Sequence, residues 1–177
     1  MKNHRVNEAR TKLFWLIMIV VISCLVFFWL IISMLKAYKI QLRYQGTMSM
    51  PAGIYLQYPS NSYRVGDDVI FVPSNTVENL IVKRGWLSEK EPLLKEIIAA
   101  KGDFVCIKNG YLWLNEERLV PVLKEDRKKR ALPEIKMCRK LKSDEFWMMG
   151  ISSPYSFDSR YFGIVKKQNI LGKVIKL

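Results

Sequence analysis

Pro92-Leu-Leu-Lys-Glu-Ile-Ile-Ala-Ala100 decides how the larger part of this 177-residue chain is read. As an extended strand it places Leu93, Lys95, Ile97 and Ala99 on one face and turns Glu96 to the other, because successive side chains alternate. Lys95 then stands alone among apolar neighbours. An ammonium group is disfavoured there, so a lysine in that position either sheds its proton or reaches from the strand edge to water.

The neighbouring segments also read as short strands. Val69-Ile-Phe-Val72 is a short apolar run ended by Pro73. Val105-Cys-Ile-Lys108 and Tyr111-Leu-Trp-Leu114 flank Asn109-Gly110, a strong hairpin signal because both residues accept the positive φ of a tight turn. Glu145-Phe-Trp-Met-Met149 and residues 170–175 add further strands, whereas residues 77–91 read as a loop or helical turn. The expected fold is a mostly β domain over residues 45–177. About 140 residues suffice for one domain with its own core. No internal repeat or low-complexity linker interrupts it.

Ahead of that domain, Leu13 to Leu35 carries no charge. As a helix it spans about 30 Å, enough to cross the hydrocarbon core of a bilayer. A cleaved signal peptide has a shorter apolar region and a small-residue cleavage site; this run ends in Met34-Leu35-Lys36, so it reads as a retained transmembrane α-helix. Residues 1–12 form a polar tail and residues 36–44 a connector able to lie at the interface. Lys2, Arg5, Arg10 and Lys12 precede the run and Lys36, Lys39 and Arg43 follow it, a slight bias toward a cytoplasmic N-terminus.

From Gln45 onward there are 22 basic and 15 acidic residues, a charge of +7. Basic charge beside an anchor suits anionic lipid head groups. The only cluster, Arg127-Lys-Lys-Arg130, reads as a solvated loop, and with no recognisable motif around it no nucleic acid is expected as a partner.

Ser49 lies between two methionines on a turn shaped by Pro51 and Gly53. The sole histidine, His4, precedes the apolar run; if that run crosses a membrane, His4 and Ser49 face different compartments and no Ser-His-Asp triad forms within one chain. A serine nucleophile then needs another base, and a buried, neutral Lys95 is the best candidate. Lys83, after Leu80-Ile-Val82, is the rival, but it sits beside Arg84 at the end of its run.

Four blocks together resemble the signal peptidase I superfamily of Ser-Lys proteases (peptidase family S26), and within it the TraF-type branch encoded with conjugative transfer systems. They are Ser49-Met-Pro-Ala-Gly-Ile-Tyr55, Leu93-Leu-Lys-Glu-Ile-Ile-Ala-Ala-Lys-Gly-Asp103, Gly102-Asp-Phe-Val-Cys-Ile-Lys-Asn-Gly110 and Ser156-Phe-Asp-Ser-Arg-Tyr-Phe-Gly163. The resemblance implies Ser49 as nucleophile, Lys95 as general base and Ser156 as the hydroxyl orienting the lysine amine. It implies Asp158 and Arg160 as a structural pair, and Thr47 with the Ser49 backbone N–H as the oxyanion hole. It also implies a Cys106–Cys138 disulfide, and two cysteines beyond an export anchor suit an oxidising compartment. The chain departs from the family at Glu96 and Lys101, where arginine and proline are usual, and Gly150-Ile-Ser-Ser-Pro154 lacks the Gly-Asp-Asn of general signal peptidases.

No cofactor is expected, because two cysteines without a nearby histidine do not fill a zinc site. Cys24 lies within the anchor as a small apolar residue. The resemblance implies a bacterial inner-membrane serine endopeptidase with a periplasmic catalytic domain. Its partners would be inner-membrane lipid, an exported precursor such as a pilin with small residues at the cleavage site, and conjugative transfer or type IV secretion components. A housekeeping signal peptidase and a non-catalytic assembly factor are the alternatives.

Overall fold

The structure, a computed structural model, describes the backbone of residues 2–177 and the side chains of residues 10–177; the His4 side chain lies outside the described residues. The chain divides into two compact units, residues 1–40 and 41–177.

The first unit is one helix, α1 (Lys2–Ala37). The polar tail is thus helical from Lys2 on. Within α1 the stretch Arg10–Ala37 is long and apolar enough to cross a membrane, and none of it is buried within the protein. Leu13, Phe14, Ile19, Leu25, Phe27 and Trp29 are all exposed around its circumference. A helix apolar on every side suits a lipid surrounding.

The second unit comprises β1 (Gln41–Gln45), β2 (Gly53–Tyr58), β3 (Asp68–Phe71), α2 (Asn75–Lys83), β4 (Leu93–Ala99), β5 (Phe104–Lys108), β6 (Tyr111–Leu114), β7 (Glu117–Pro121), β8 (Cys138–Lys140), β9 (Glu145–Met149), α3 (Ser159–Phe162), β10 (Val165–Lys166) and β11 (Ile170–Lys176). A seven-stranded sheet runs β1-β2-β11-β3-β4-β9-β10 and a four-stranded sheet β7-β6-β5-β8. Every neighbouring pair is antiparallel.

Two segments are more regular than their sequences alone indicate. Within the connector of residues 36–44 the chain already enters the sheet: β1 pairs Gln41–Gln45 with Gly53–Gln57. The segment 77–91 contains a true helix, α2, whose Ile81 is buried against Phe71 and Leu93.

Strands β3 and β4 form the centre. Val69, Phe71, Leu93 and Ile97 enter one cluster with Phe146 and Met148, while Ile70 and Leu94 enter another with Met50, Tyr55 and Val174. Both faces of β4 are therefore covered, and a register shift between Ile97 and Ala99 sends Ala99 into a third cluster with Val105, Leu112 and Trp147. Each fully buried side chain of this size contributes about 1.5–3 kcal/mol. The β5–β6 turn has φ of 53° at Asn109 and 74° at Gly110, as the Asn-Gly pair requires. Cys106 and Cys138 lie opposite each other on β5 and β8 and are joined by a disulfide.

Candidate active site

Ser49 sits in the connection between β1 and β2, residues 46–52. Met50 anchors this turn: it is 1% exposed and packs with Tyr55, Ile70 and Leu94. The Tyr55 hydroxyl donates to the Pro51 carbonyl at 2.8 Å, and the Ser152 N–H donates to the Ser49 carbonyl at 3.1 Å. The turn is thus tied to its own strand on one side and to the loop after β9 on the other. Ser49 itself is half-buried, and Thr47 Oγ1 stands 3.2 Å from its Oγ. The Gln45 amide donates to Thr47 Oγ1 at 2.5 Å and to the Thr47 carbonyl at 3.0 Å.

Lys95 lies mid-strand in β4, opposite Val69 of β3, and is 3% exposed. Among the described residues its amine has no hydrogen-bond or ion-pair partner. Burial lowers its pKa from 10.5 to about 8; the Asp158 carboxylate acts in the opposite direction and the Arg160 guanidinium reinforces the lowering. Lys95 is thus buried in the sheet, within electrostatic reach of Asp158 and Arg160. Lys83, the rival, ends α2 beside a different surface depression, lined by Asn75, Glu78 and Lys90.

The Ser156 hydroxyl is buried and has no hydrogen-bond partner among the described residues. Its loop is held by Asp158 and Arg160. Arg160 Nε and Nη2 donate to the two Asp158 carboxylate oxygens at 2.8 Å each, Arg160 Nη2 donates to the Ser156 carbonyl at 3.1 Å, and Nη1 to the Pro121 carbonyl at 3.1 Å. Asp158 also accepts from the Gly150 N–H at 3.2 Å. Burial disfavours the guanidinium charge, yet the Asp158 bonds more than offset it and raise the Arg160 pKa. The pair is 0% and 2% exposed, so it is a buried, multiply bonded ion pair and not a solvated surface one.

Ser49, Thr47, Lys95, Ser153 and Ser156 line one cleft of about 650 Å³, with Ile70, Leu93 and Leu94 on its apolar wall. No hydrogen bond joins Ser49 to Lys95 or Lys95 to Ser156 among the described residues; such bonds in unliganded sites are often loose until substrate closes them. The sheet leaves room beside them: β9 pairs with β4 only from Glu96 onward, so the edge of Leu93–Lys95 on that side is unpaired.

Three further features escaped the sequence reading. Gly150 packs so closely that a Cβ there would stand 2.7 Å from both the Ser49 carbonyl oxygen and the Ser156 Cβ. Gln45 reaches Thr47 from the end of β1, where nothing local marks it. The basic cluster read as a solvated loop also faces the cleft, because Arg84 and Arg130 bond Asp126 at 3.3 and 2.7 Å and fold that loop back; Arg127, Lys128 and Arg130 line the same cleft. Among the described residues no group of three or more His, Cys, Asp or Glu is placed to hold a metal.

A family profile for signal peptidases, peptidase S26, matches residues 12–176. A plasmid transfer protein TraF from Escherichia coli is 31% identical over 147 residues, 76% of this chain and 81% of that protein. A signal peptidase I from Leptolyngbya laminosa is 26% identical over 121 residues, 68% of this chain and 55% of that protein. Signal peptidase I V from Bacillus subtilis is 27% identical over 92 residues, 46% of this chain and 55% of that protein. The chain thus spans about half the length of the two signal peptidase I relatives. A crystal structure of a signal peptidase I from Enterococcus faecalis V583 aligns with a TM-score of 0.41 at 20% identity, covering 65% of this chain and 98% of that one.

Proposed function

Since this chain belongs to the signal peptidase family, peptidase S26, and carries one N-terminal helix long and apolar enough to cross a membrane, we propose that it is a membrane-anchored serine endopeptidase working through a Ser49–Lys95 dyad. The observation that carries this reading is the meeting of Ser49, Ser156 and a buried, unpaired Lys95 in one cleft.

The chemistry follows from the side chains. Neutral Lys95 takes the Ser49 proton as Ser49 Oγ attacks the scissile carbonyl carbon. A pKa of about 8 leaves an appreciable fraction of the amine unprotonated near neutral pH. The buried Ser156 hydroxyl accepts from the lysine and orients its lone pair. Thr47 and the Ser49 N–H, which has no protein acceptor among the described residues, receive the charge on the oxyanion; one such donor is worth about 3 kcal/mol in the transition state. Lys95 then protonates the leaving amine, and water or another amine releases the acyl-enzyme.

The substrate is an exported precursor, extended along the unpaired edge of Leu93–Lys95 and presenting small residues at the cleavage site. The TraF relative favours a component of conjugative transfer, such as a pilin, over general housekeeping cleavage. With the N-terminus cytoplasmic, the catalytic unit faces the periplasm of the inner membrane, where the Cys106–Cys138 bond persists.

The test is incubation of the purified full chain with exported precursors encoded beside it, reading new termini by mass spectrometry. Cleavage by the wild type and none by Ser49→Ala is expected; equal cleavage by folded Ser49→Ala refutes the serine mechanism. A product joined through the new carboxyl end, in place of a free one, identifies transfer.

A further inference from the structure

We propose that Gln45 is a positioning residue that sets the direction of the hydroxyl hydrogen bonds at the nucleophile. This rests on the Ser49–Lys95 reading. Gln45 is the last residue of β1, held opposite Gly53 by the antiparallel register, so its amide reaches the turn from a fixed strand.

The orientation of that amide is determined by its partners. A backbone carbonyl only accepts hydrogen bonds. The group 3.0 Å from the Thr47 carbonyl is therefore the Gln45 NH2, and the same nitrogen lies 2.5 Å from Thr47 Oγ1. Thr47 Oγ1 accepts from Gln45 and keeps one proton to give. Its other neighbour is Ser49 Oγ at 3.2 Å. Either hydroxyl can donate across that 3.2 Å contact; donation from Gln45 into Thr47 Oγ1 polarises the Thr47 O–H and favours its donating on to Ser49, which leaves the Ser49 proton for the base.

Without Gln45 the two hydroxyls are equivalent, and Ser49 donates to Thr47 as readily as the reverse. When Ser49 donates to Thr47, its proton is engaged there and not offered to the base, and the Thr47 proton is not given to Ser49. Gln45 thus serves twice: before attack it frees the Ser49 proton, and after attack it leaves the Thr47 proton available to the oxyanion. Donation into Thr47 Oγ1 also polarises its O–H, since hydrogen bonds in a chain strengthen one another.

The experiment measures kcat and KM, on the precursor that the wild type cleaves, for Gln45→Met and Gln45→Glu in both the native and the Thr47→Val backgrounds. Gln45→Met removes the donor at similar length. Gln45→Glu replaces a donor with an acceptor that takes the Thr47 proton for itself. Expected is a loss in kcat of about 10-fold for Gln45→Met and about 100-fold for Gln45→Glu, with KM changed less than about 2-fold, because the hydroxyl order that Gln45 sets governs proton transfer and oxyanion stabilisation and not substrate binding. In the Thr47→Val background both losses should shrink to about 2-fold or less, the signature of residues acting as a unit. Variants are compared at matched thermal unfolding; if Gln45→Met fails to fold, the near-isosteric Gln45→Glu carries the comparison. Unchanged kcat in Gln45→Glu, or losses that persist undiminished beside Thr47→Val, overturns the proposal while leaving the dyad standing. Equal activity of Ser49→Ala, measured in the same series, overturns the dyad itself.

Discussion

Ser152 donates its backbone N–H to the carbonyl oxygen of Ser49 at 3.1 Å, so the turn bearing one hydroxyl of the site is bonded to the loop that leads to another, Ser156. Between them Gly150 has no room for a side chain. Gly150→Ala would force a methyl against the Ser49 carbonyl and the Ser156 side chain, and backbone does not yield cheaply. The substitution is expected to reduce cleavage at least about 100-fold, as small misplacements of reacting groups do, while the protein remains folded. Cleavage rate and circular dichroism on the same preparation check this.

Lys95 costs stability at neutral pH. Its folded pKa of about 8 lies below the unfolded value, so between about pH 8 and 10.5 the unfolded chain binds more protons and stability rises with pH. Below that window the ammonium is buried in full, at a cost of up to about 3 kcal/mol. Lys95→Met should therefore be more stable than the wild type at pH 7, and the gain should fade toward pH 10.5. Chemical denaturation at the two pH values reads it.

Asp158 and Arg160 act on Lys95 in opposite senses, so they can be separated by pH. Asp158→Asn removes the charge that holds the lysine pKa up, and the rise of kcat/KM with pH should move to lower pH. Stability should fall by about 3–5 kcal/mol, because the Arg160 guanidinium is left buried without its counter-charge. A rise moved to higher pH would show that the electrostatic sense is wrong.

How far the sequence speaks for this site differs from residue to residue. Lys95 was legible because a lone lysine among Leu93, Ile97 and Ala99 is a local pattern. The Asn109-Gly110 hairpin and the apolar helix were legible for the same reason. The strand Gln41–Gln45 was not: it lies at the sheet edge, its side chains Leu42 and Tyr44 are exposed, and its sequence has no buried face to alternate against. Gly150, Gln45 and the basic loop share another obscurity. Their roles arise from contacts across the fold, such as Arg84 with Asp126, 42 residues apart, which no short window contains. The order of the seven strands is likewise a matter of distant pairings, with β11 inserted between β2 and β3.

The Cys106–Cys138 bond closes a loop with a sequence separation of 32 and ties β5 to β8. In the chain-entropy description it stabilises the unit by about 3–4 kcal/mol. Replacing both cysteines with alanine should lower the unfolding free energy by that amount without moving the pH dependence of cleavage, since neither cysteine lines the cleft. A changed pH dependence would mean that the four-stranded sheet reaches the site after all.

If Lys95 works as a neutral amine, an arginine cannot replace it, and precursor cleavage by Lys95→Arg as a function of pH shows whether it does. Wild-type kcat/KM should rise through about pH 8. Lys95→Arg keeps the positive charge, but its guanidinium does not release a proton in the accessible pH range, so it should be inactive across the whole range, while Lys83→Ala retains the wild-type profile. Cleavage by Lys95→Arg at a rate near that of the wild type would mean that Lys95 is not the base.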